Sequence, residues 1–195
     1  SACAADIIRK LATQAYRGTV PADDMKDLVS FYERGRKQTD FEGGIRMAVQ
    51  AILASPRFLF RIEQTPSTLK AGQTYRITDH DLASRLSFFI WGSMPDAELL
   101  KTASTGTLRT PAVFEKQIKR LLADARSESL STRFASQWLR LQDLDKIFPD
   151  YLLYPQYDEV LARAMKKETE LFFDSIVRED RSLLDLLTAD YSFVN

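Results

Sequence analysis

The chain has 195 residues, 45% hydrophobic and 28% charged, a composition that excludes a disordered chain and suits a globular protein of one domain, or two small ones. Lys and Arg number 27 and Asp and Glu 27, for a formal net charge of zero. No global basic field therefore draws nucleic acid or an anionic membrane. With 7 Gly and 7 Pro the chain is poor in turn formers, which argues against an all-β fold and for long helices.

Apolar spacing divides the chain into successive amphipathic segments. From Ala4 to Arg17, a stripe of Ile7, Ile8, Leu11, Ala12 and Ala15 predicts a helix that ends at Gly18. Pro21 suits the first position of a second helix, with Asp23 and Asp24 at its positive end and Met25, Leu28, Val29 and Tyr32 inward. A third opens after Thr39 or Asp40 and carries Phe41, Ile45, Ala48, Val49 and Ile52. Gly43 and Gly44 either weaken its first turn or permit close packing. Ser55-Pro56 caps and restarts a short helix holding Phe58, Leu59, Phe60 and Ile62.

A polar connector follows, with a short extended piece at Tyr75–Ile77. Thr78 and Asp81 make a capping box for a helix whose buried face is Leu82, Leu86, Phe89 and Ile90, ending in a turn at Trp91–Pro95. Short helices are expected from Asp96 to Ala103 and after Thr110-Pro111, the latter with Val113, Phe114, Ile118, Leu121 and Leu122 inward. Past a junction at Asp124–Ser127, Leu130, Phe134, Trp138 and Leu141 form the next inward stripe. The stretch Asp143–Pro155 is aromatic and irregular. The longest helix runs from about Tyr157 to Val177 with Val160, Leu161, Ala164, Met165, Leu171, Phe172 and Ile176 inward. A helical turn at Ser182–Leu187 and an extended apolar stub, Asp190–Asn195, close the chain.

The fold class is thus all-α: a bundle of about eight to ten helices, packed orthogonally or as antiparallel pairs. The expected organisation is an N-terminal helical domain at 1–63, a connector at 64–78 and a second helical domain at 79–195, truncated at its C-terminus and sharing one core with the first. The stub is expected to pack onto something further along a longer polypeptide.

Cys3 is the only cysteine and His80 the only histidine, so no intrachain disulfide forms and no metal set is expected. There is no C-x-x-C-H for a covalent haem, and no dinucleotide, P-loop or nucleophile-elbow motif. The most apolar stretch, Leu86–Trp91, is far short of the ~20 residues that span a bilayer. No basic-then-apolar leader opens the chain.

Glu168 is the most unusual acid, because it falls on the apolar stripe of the longest helix. It reads as an acid/base or ligand, or as an interior ion pair with Arg85 or Arg133. Those two arginines each sit beside an apolar stripe, where a bidentate fork fits a buried carboxylate or a bound anion. Gln137 shares a face with Phe134 and Trp138 and calls for a packing hydrogen bond. His80 reads as a solvated helix-start residue or a metal or haem ligand, and Cys3 as a free thiol or a partner for a thiol outside these residues. Tyr151 and Tyr154, in the segment Phe148–Tyr157, either line a binding groove or pin the loop to the core. Glu168 and Glu170 are two apart and point in different directions on a helix, so no glycosidase-type pair is visible.

Several phrases carry a resemblance: Leu11-Ala-Thr-Gln-Ala-Tyr-Arg17 with Val20-Pro21, Ala51-Ile-Leu-Ala-Ser-Pro-Arg-Phe-Leu-Phe-Arg61, Leu82-Ala-Ser-Arg-Leu-Ser-Phe-Phe-Ile-Trp-Gly-Ser-Met-Pro-Asp96 and Asp180–Asn195. Together they resemble the consecutive domains of unknown function in planctomycete cytochrome c-associated proteins. The resemblance implies a large exported, periplasmic protein with haem c elsewhere in the polypeptide; it carries over no catalytic residue, and no cofactor is expected in this part. The absence of a catalytic set, beside an aromatic loop and an open end, gives the preferred reading: a non-catalytic helical module that docks other domains of the same polypeptide, a cytochrome c domain among them, or a substrate. Two alternatives stay open: part of an oxidoreductase or hydrolase acting on a polymer, with a pocket of Glu168, Arg85 and Arg133, and a cytoplasmic regulatory or scaffold domain.

Overall fold

A computed structural model describes residues 2–63 and 65–194. Ser1, Gln64, where the expected connector begins, and Asn195, where the expected stub ends, lie outside the described residues. The fold is all-α, 66% helical, with no strand among the described residues. The expected extended piece at Tyr75–Ile77 is irregular coil. Two compact units emerge: Ser1–Arg85 with Met94–Thr110, and Leu86–Ser93 with Pro111–Asn195. Residues 65–78 of the expected connector fall within the first unit, not between units.

The first unit is built on α1 (Ala2–Ala15), α2 (Ala22–Gln38), α3 (Phe41–Ala54) and the short α4 (Pro56–Leu59). Ala4, Ile8, Ala12 and Ala15 of α1 pack with Leu28 and Tyr32 of α2 and Ala48 and Ile52 of α3. Burying each of the larger of these side chains stabilises the fold by about 1.5–3 kcal/mol. Leu11, expected inward, is exposed, because the buried line of α1 runs at four-residue steps through Ala4, Ile8 and Ala12. The glycines of α3 serve close packing: a Cβ on Gly44 would lie 2.7 Å from the Tyr32 ring. Asp40 caps α3 by accepting from Gly43 N at 2.8 Å, and Ser55 Oγ accepts from Arg57 N to cap α4.

Helix α5 (Asp79–Trp91) opens on the expected capping box. Thr78 Oγ1 accepts from Asp81 N at 3.1 Å, and Asp81 Oδ2 accepts from Thr78 N at 3.4 Å. Its buried residues are Ala83, Ser87, Ile90 and Trp91, while Phe89 is exposed. Trp91 belongs to the helix and not to the turn expected there. Helix α6 (Ala97–Ser104), capped by Asp96, buries Leu99, Leu100 and Ala103.

The second unit contains the last turns of α5, α7 (Pro111–Ala123), a 3-10 turn at Ala125–Glu128, a π-helical segment at Leu130–Ala135 and the one-turn α8 (Ser136–Trp138). The π segment explains why Phe134 and Trp138 face outward and not inward. Its bonds run from residue i to i+5, so faces repeat at five residues and not four. Leu130 and Ala135 are buried, five apart, and so are Ser131 and Ser136. A 3-10 segment (Leu141–Lys146) leads to the aromatic stretch, then α9 (Glu159–Arg178) and α10 (Asp185–Thr188).

Asp158 caps α9 by accepting from Leu161 N at 2.8 Å. The buried residues of α9 lie in its second half, at Glu170, Phe173, Ser175 and Ile176. Val160, Leu161 and Met165, expected inward, are exposed. The C-terminal segment folds back onto α9. Tyr191 and Phe193 contact Phe172, with ring centroids 5.6 and 6.3 Å away, so these two rings pack against α9.

Candidate functional site

In the first unit, a cavity of about 300 Å³ gathers charged side chains from three segments. The end of α1 supplies Tyr16 and Arg17, the coil after α4 supplies Arg61 and Glu63, and the first turns of α5 supply His80 and Arg85. Arg17 is buried, in a left-handed conformation with φ 59°. It occupies the position after α1 where a Schellman motif favours glycine: Gly18 N donates to Thr13 O at 3.2 Å and Arg17 N to Gln14 O at 3.1 Å. Its guanidinium donates to Arg57 O at 2.7 Å, Phe60 O at 2.8 Å, Phe58 O at 3.2 Å and Ala15 O at 3.4 Å. The positive fork thus sits on carbonyls at the C-terminal end of α4, the negative end of its dipole. Burial, with the charge of Arg61 beside it, lowers the Arg17 pKa from its ordinary value.

Arg85 grips Glu63 bidentately, donating from Nε and Nη2 at 2.6 and 2.7 Å. Those hydrogen bonds hold the Glu63 carboxyl below its ordinary range. His80 is half-buried and not simply solvated. Its ring lies against Gly18, and Nε2 is 3.3 Å from Ser104 Oγ. Nearby, Asp79 accepts from Arg109 Nε at 2.8 Å and from Leu108 N at 3.2 Å, and Arg109 also donates to Ile77 O. Cys3 is an exposed free thiol.

In the second unit, Glu168 is half-buried and its carboxylate accepts from Ser192 Oγ, not from Arg133. It lines a depression of about 360 Å³ with Arg140, Asp143, Met165 and Thr169. Arg133 is exposed and donates to Gly92 O at 3.1 Å. Gly92 is in the left-handed region, and a Cβ there would lie 2.6 Å from Arg133 Nη1. The buried acid of α9 is Glu170, two residues from the expected one, with Lys167 Nζ at 3.8 Å. Gln137 is exposed, while the buried glutamine is Gln117, which accepts from Arg120 at 2.8 Å.

Both outcomes follow from register. The burial of α9 begins at its second half, and the π segment turns residues 134–138 outward. Trp91 is fixed by its indole N–H, which donates to Leu121 O at 2.9 Å, and by Arg126, whose guanidinium lies 3.5 Å from the ring centroid. No sequence signal marked Trp91, Arg17 or Arg109, because each is defined by carbonyl or carboxylate partners distant in the chain.

The aromatic stretch is shaped by its own backbone. Asp150 O accepts from Leu153 N and Tyr154 N at 3.1 and 2.9 Å, and Asp150 Oδ1 accepts from Leu152 N at 2.9 Å. Phe148 is 89% exposed, Tyr151 75%, Leu152 72%, Leu153 73% and Tyr154 54%. Tyr151 and Tyr154 therefore do not pin the loop to the core. Beside them Ile147, Phe148, Pro149, Tyr157 and Ala162 line an open cavity of about 520 Å³.

Among the described residues, no three His, Cys, Asp or Glu side chains come together as a metal-holding group, and no helix is long and apolar enough to cross a membrane. No curated protein and no solved structure matches the chain. Residues 3–63 match the family described as PSD5, a protein of unknown function (DUF1595). Residues 77–195, more than half of the chain, match the one described as PSD4, a protein of unknown function (DUF1592), and the chain belongs to that family.

Proposed function

We propose that this chain is a non-catalytic helical interaction module of an exported multidomain protein, and that its second unit docks another domain of the same polypeptide, a cytochrome c domain. The observation that carries the reading is the exposure of five large side chains in one turn-ordered stretch, Phe148 to Tyr154. Scattered surface apolar residues are ordinary, but a contiguous group of this kind marks an interaction surface. Aromatic side chains supply large contact area for little lost rotamer freedom, which suits them to interface centres. The stretch is held by its own hydrogen bonds to Asp150, so little ordering entropy opposes docking. Export and the haem partner are supported by the sequence phrases Ala51–Arg61 and Leu82–Asp96 and their resemblance alone.

The test is calorimetric titration of a cytochrome c domain encoded in the same gene into this chain. Saturable binding that Phe148→Ser with Leu153→Ser abolishes supports the reading. Binding that survives both substitutions, or a gene without a haem-attachment motif, removes it.

A further inference from the structure

The cavity beside the aromatic stretch is charged as well as apolar. About 520 Å³ opens against Ile147, Phe148 and Tyr157, within the range of small-ligand sites. The charges that border it are three carboxylates, Asp145, Asp158 and Glu159, against one guanidinium, Arg163. Arg163 is matched by Glu159, one helical turn away, with Nη1 and Oε2 3.6 Å apart. Asp158 accepts from Leu161 N at the start of α9, where the positive end of the helix dipole offsets its charge. Asp145 is exposed, and among the described residues no hydrogen bond or ion pair holds it. One carboxylate is thus left over beside apolar and aromatic walls. Tyr157, one of those walls, keeps a buried hydroxyl oxygen with no hydrogen-bond partner among the described residues. An unpaired buried hydroxyl is costly, and a donor brought into the cavity relieves that cost.

An occupant that suits these walls has an apolar stem, a flat cationic head and several donors. Arginine has all of them: its stem packs on apolar surface, its planar guanidinium lies on aromatic faces, and its fork of N–H donors reaches more than one acceptor. Lysine carries its charge on a compact, strongly hydrated head and gives up more hydration on entry. Arginine is also among the residues that anchor interface centres. We infer that this cavity receives an arginine side chain from the docking face of the partner domain, a reading that rests on the docking surface proposed above. The guanidinium pairs with Asp145 and stacks on Phe148, and its stem lies among the apolar walls. Asp145 and Phe148 are both exposed, so replacing either leaves the core intact.

The experiment is an NMR titration of the whole chain with n-butylguanidinium, n-butylammonium and n-butanol at matched ionic strength, read at the backbone amides of Asp145, Phe148 and Ala162. Saturable shifts are expected with butylguanidinium, with a Kd on the order of 10 mM for a ligand of this size. Butylammonium and butanol are expected to bind at least about threefold more weakly. Asp145→Asn is expected to weaken butylguanidinium binding by about twofold to fivefold, and Phe148→Ser by a similar factor. No saturable shift at these amides, equal affinity for the three probes, or unchanged binding in either variant overturns the inference. The probes need no partner domain, so the two failures are distinguishable. Saturable binding of the haem domain without probe binding removes the arginine and keeps the docking surface. Probe binding without haem-domain binding removes the haem partner and keeps the cavity's preference for a guanidinium.

Discussion

Arg17 Nη2 donates to the carbonyl oxygen of Phe60 at 2.8 Å, joining residues 43 apart in the chain. An arginine in the left-handed region is strained by about 1–2 kcal/mol relative to glycine, yet here it contributes four hydrogen bonds to carbonyls at the ends of α1 and α4. Each bond from a charged donor is worth about 1.5–3 kcal/mol in favourable cases. Arg17→Gly removes strain and bonds together, and the bonds outweigh the strain. Urea unfolding of R17G is expected to show a loss of about 2 kcal/mol or more. A gain in stability would show that the strain dominates.

Gly44 packs against Tyr32, with a hypothetical Cβ 2.7 Å from its ring and 2.8 Å from its carbonyl oxygen. Gly44→Ala should therefore push α2 from α3 and lower stability by about 1–3 kcal/mol, even though alanine is the better helix former. Chemical denaturation checks the sign. A stabilised G44A would mean that propensity, not packing, rules at this position.

Helix positions were legible in the sequence because caps and stops are local. Thr78 with Asp81, Asp40, Ser55 and Pro111 all sit where their chemistry placed them. Burial was less legible, because it depends on register and partners. The π segment moved Phe134 and Trp138 outward. Periodicity put Glu168 on the inward stripe of α9, but neighbours reach that helix so as to bury Glu170 instead. Arg85 was read as a partner for Glu168, and it closed instead on Glu63, an acid in irregular coil that no periodicity could place. The cavity lined by Arg17, Arg61 and His80 was invisible for the same reason.

The two tryptophans occupy opposite environments. Trp91 is 3% exposed and its indole N–H bonds to Leu121 O, while Trp138 is 58% exposed. Trp91→Phe leaves that buried carbonyl without its partner and is expected to cost about 1–3 kcal/mol. Iodide should quench the fluorescence of W91F strongly and that of Trp138→Phe weakly. Equal quenching would contradict the burial of Trp91 at the end of α5.

The Asp124 carboxyl lies well below its ordinary range, first because Arg126 donates to it from its side chain and then because the Arg126 backbone N–H does too. A depressed folded-state pKa contributes stability above the unfolded-state value and loses it as pH falls toward the folded one. Stability is therefore expected to decline below about pH 4, and Asp124→Asn to flatten part of that decline. An unchanged acid limb in D124N would show that the pair contributes nothing.

The stretch from Phe148 to Tyr154, which we propose docks another domain of the same polypeptide, carries two exposed tyrosines. The most direct test of that docking is hydroxyl-radical footprinting, read at Tyr151 and Tyr154, of this chain alone and of the whole gene product. Both tyrosines, 75% and 54% exposed here, are expected to label strongly in the chain alone and to be protected in the whole protein. Equal labelling of the two tyrosines in both samples would contradict the account.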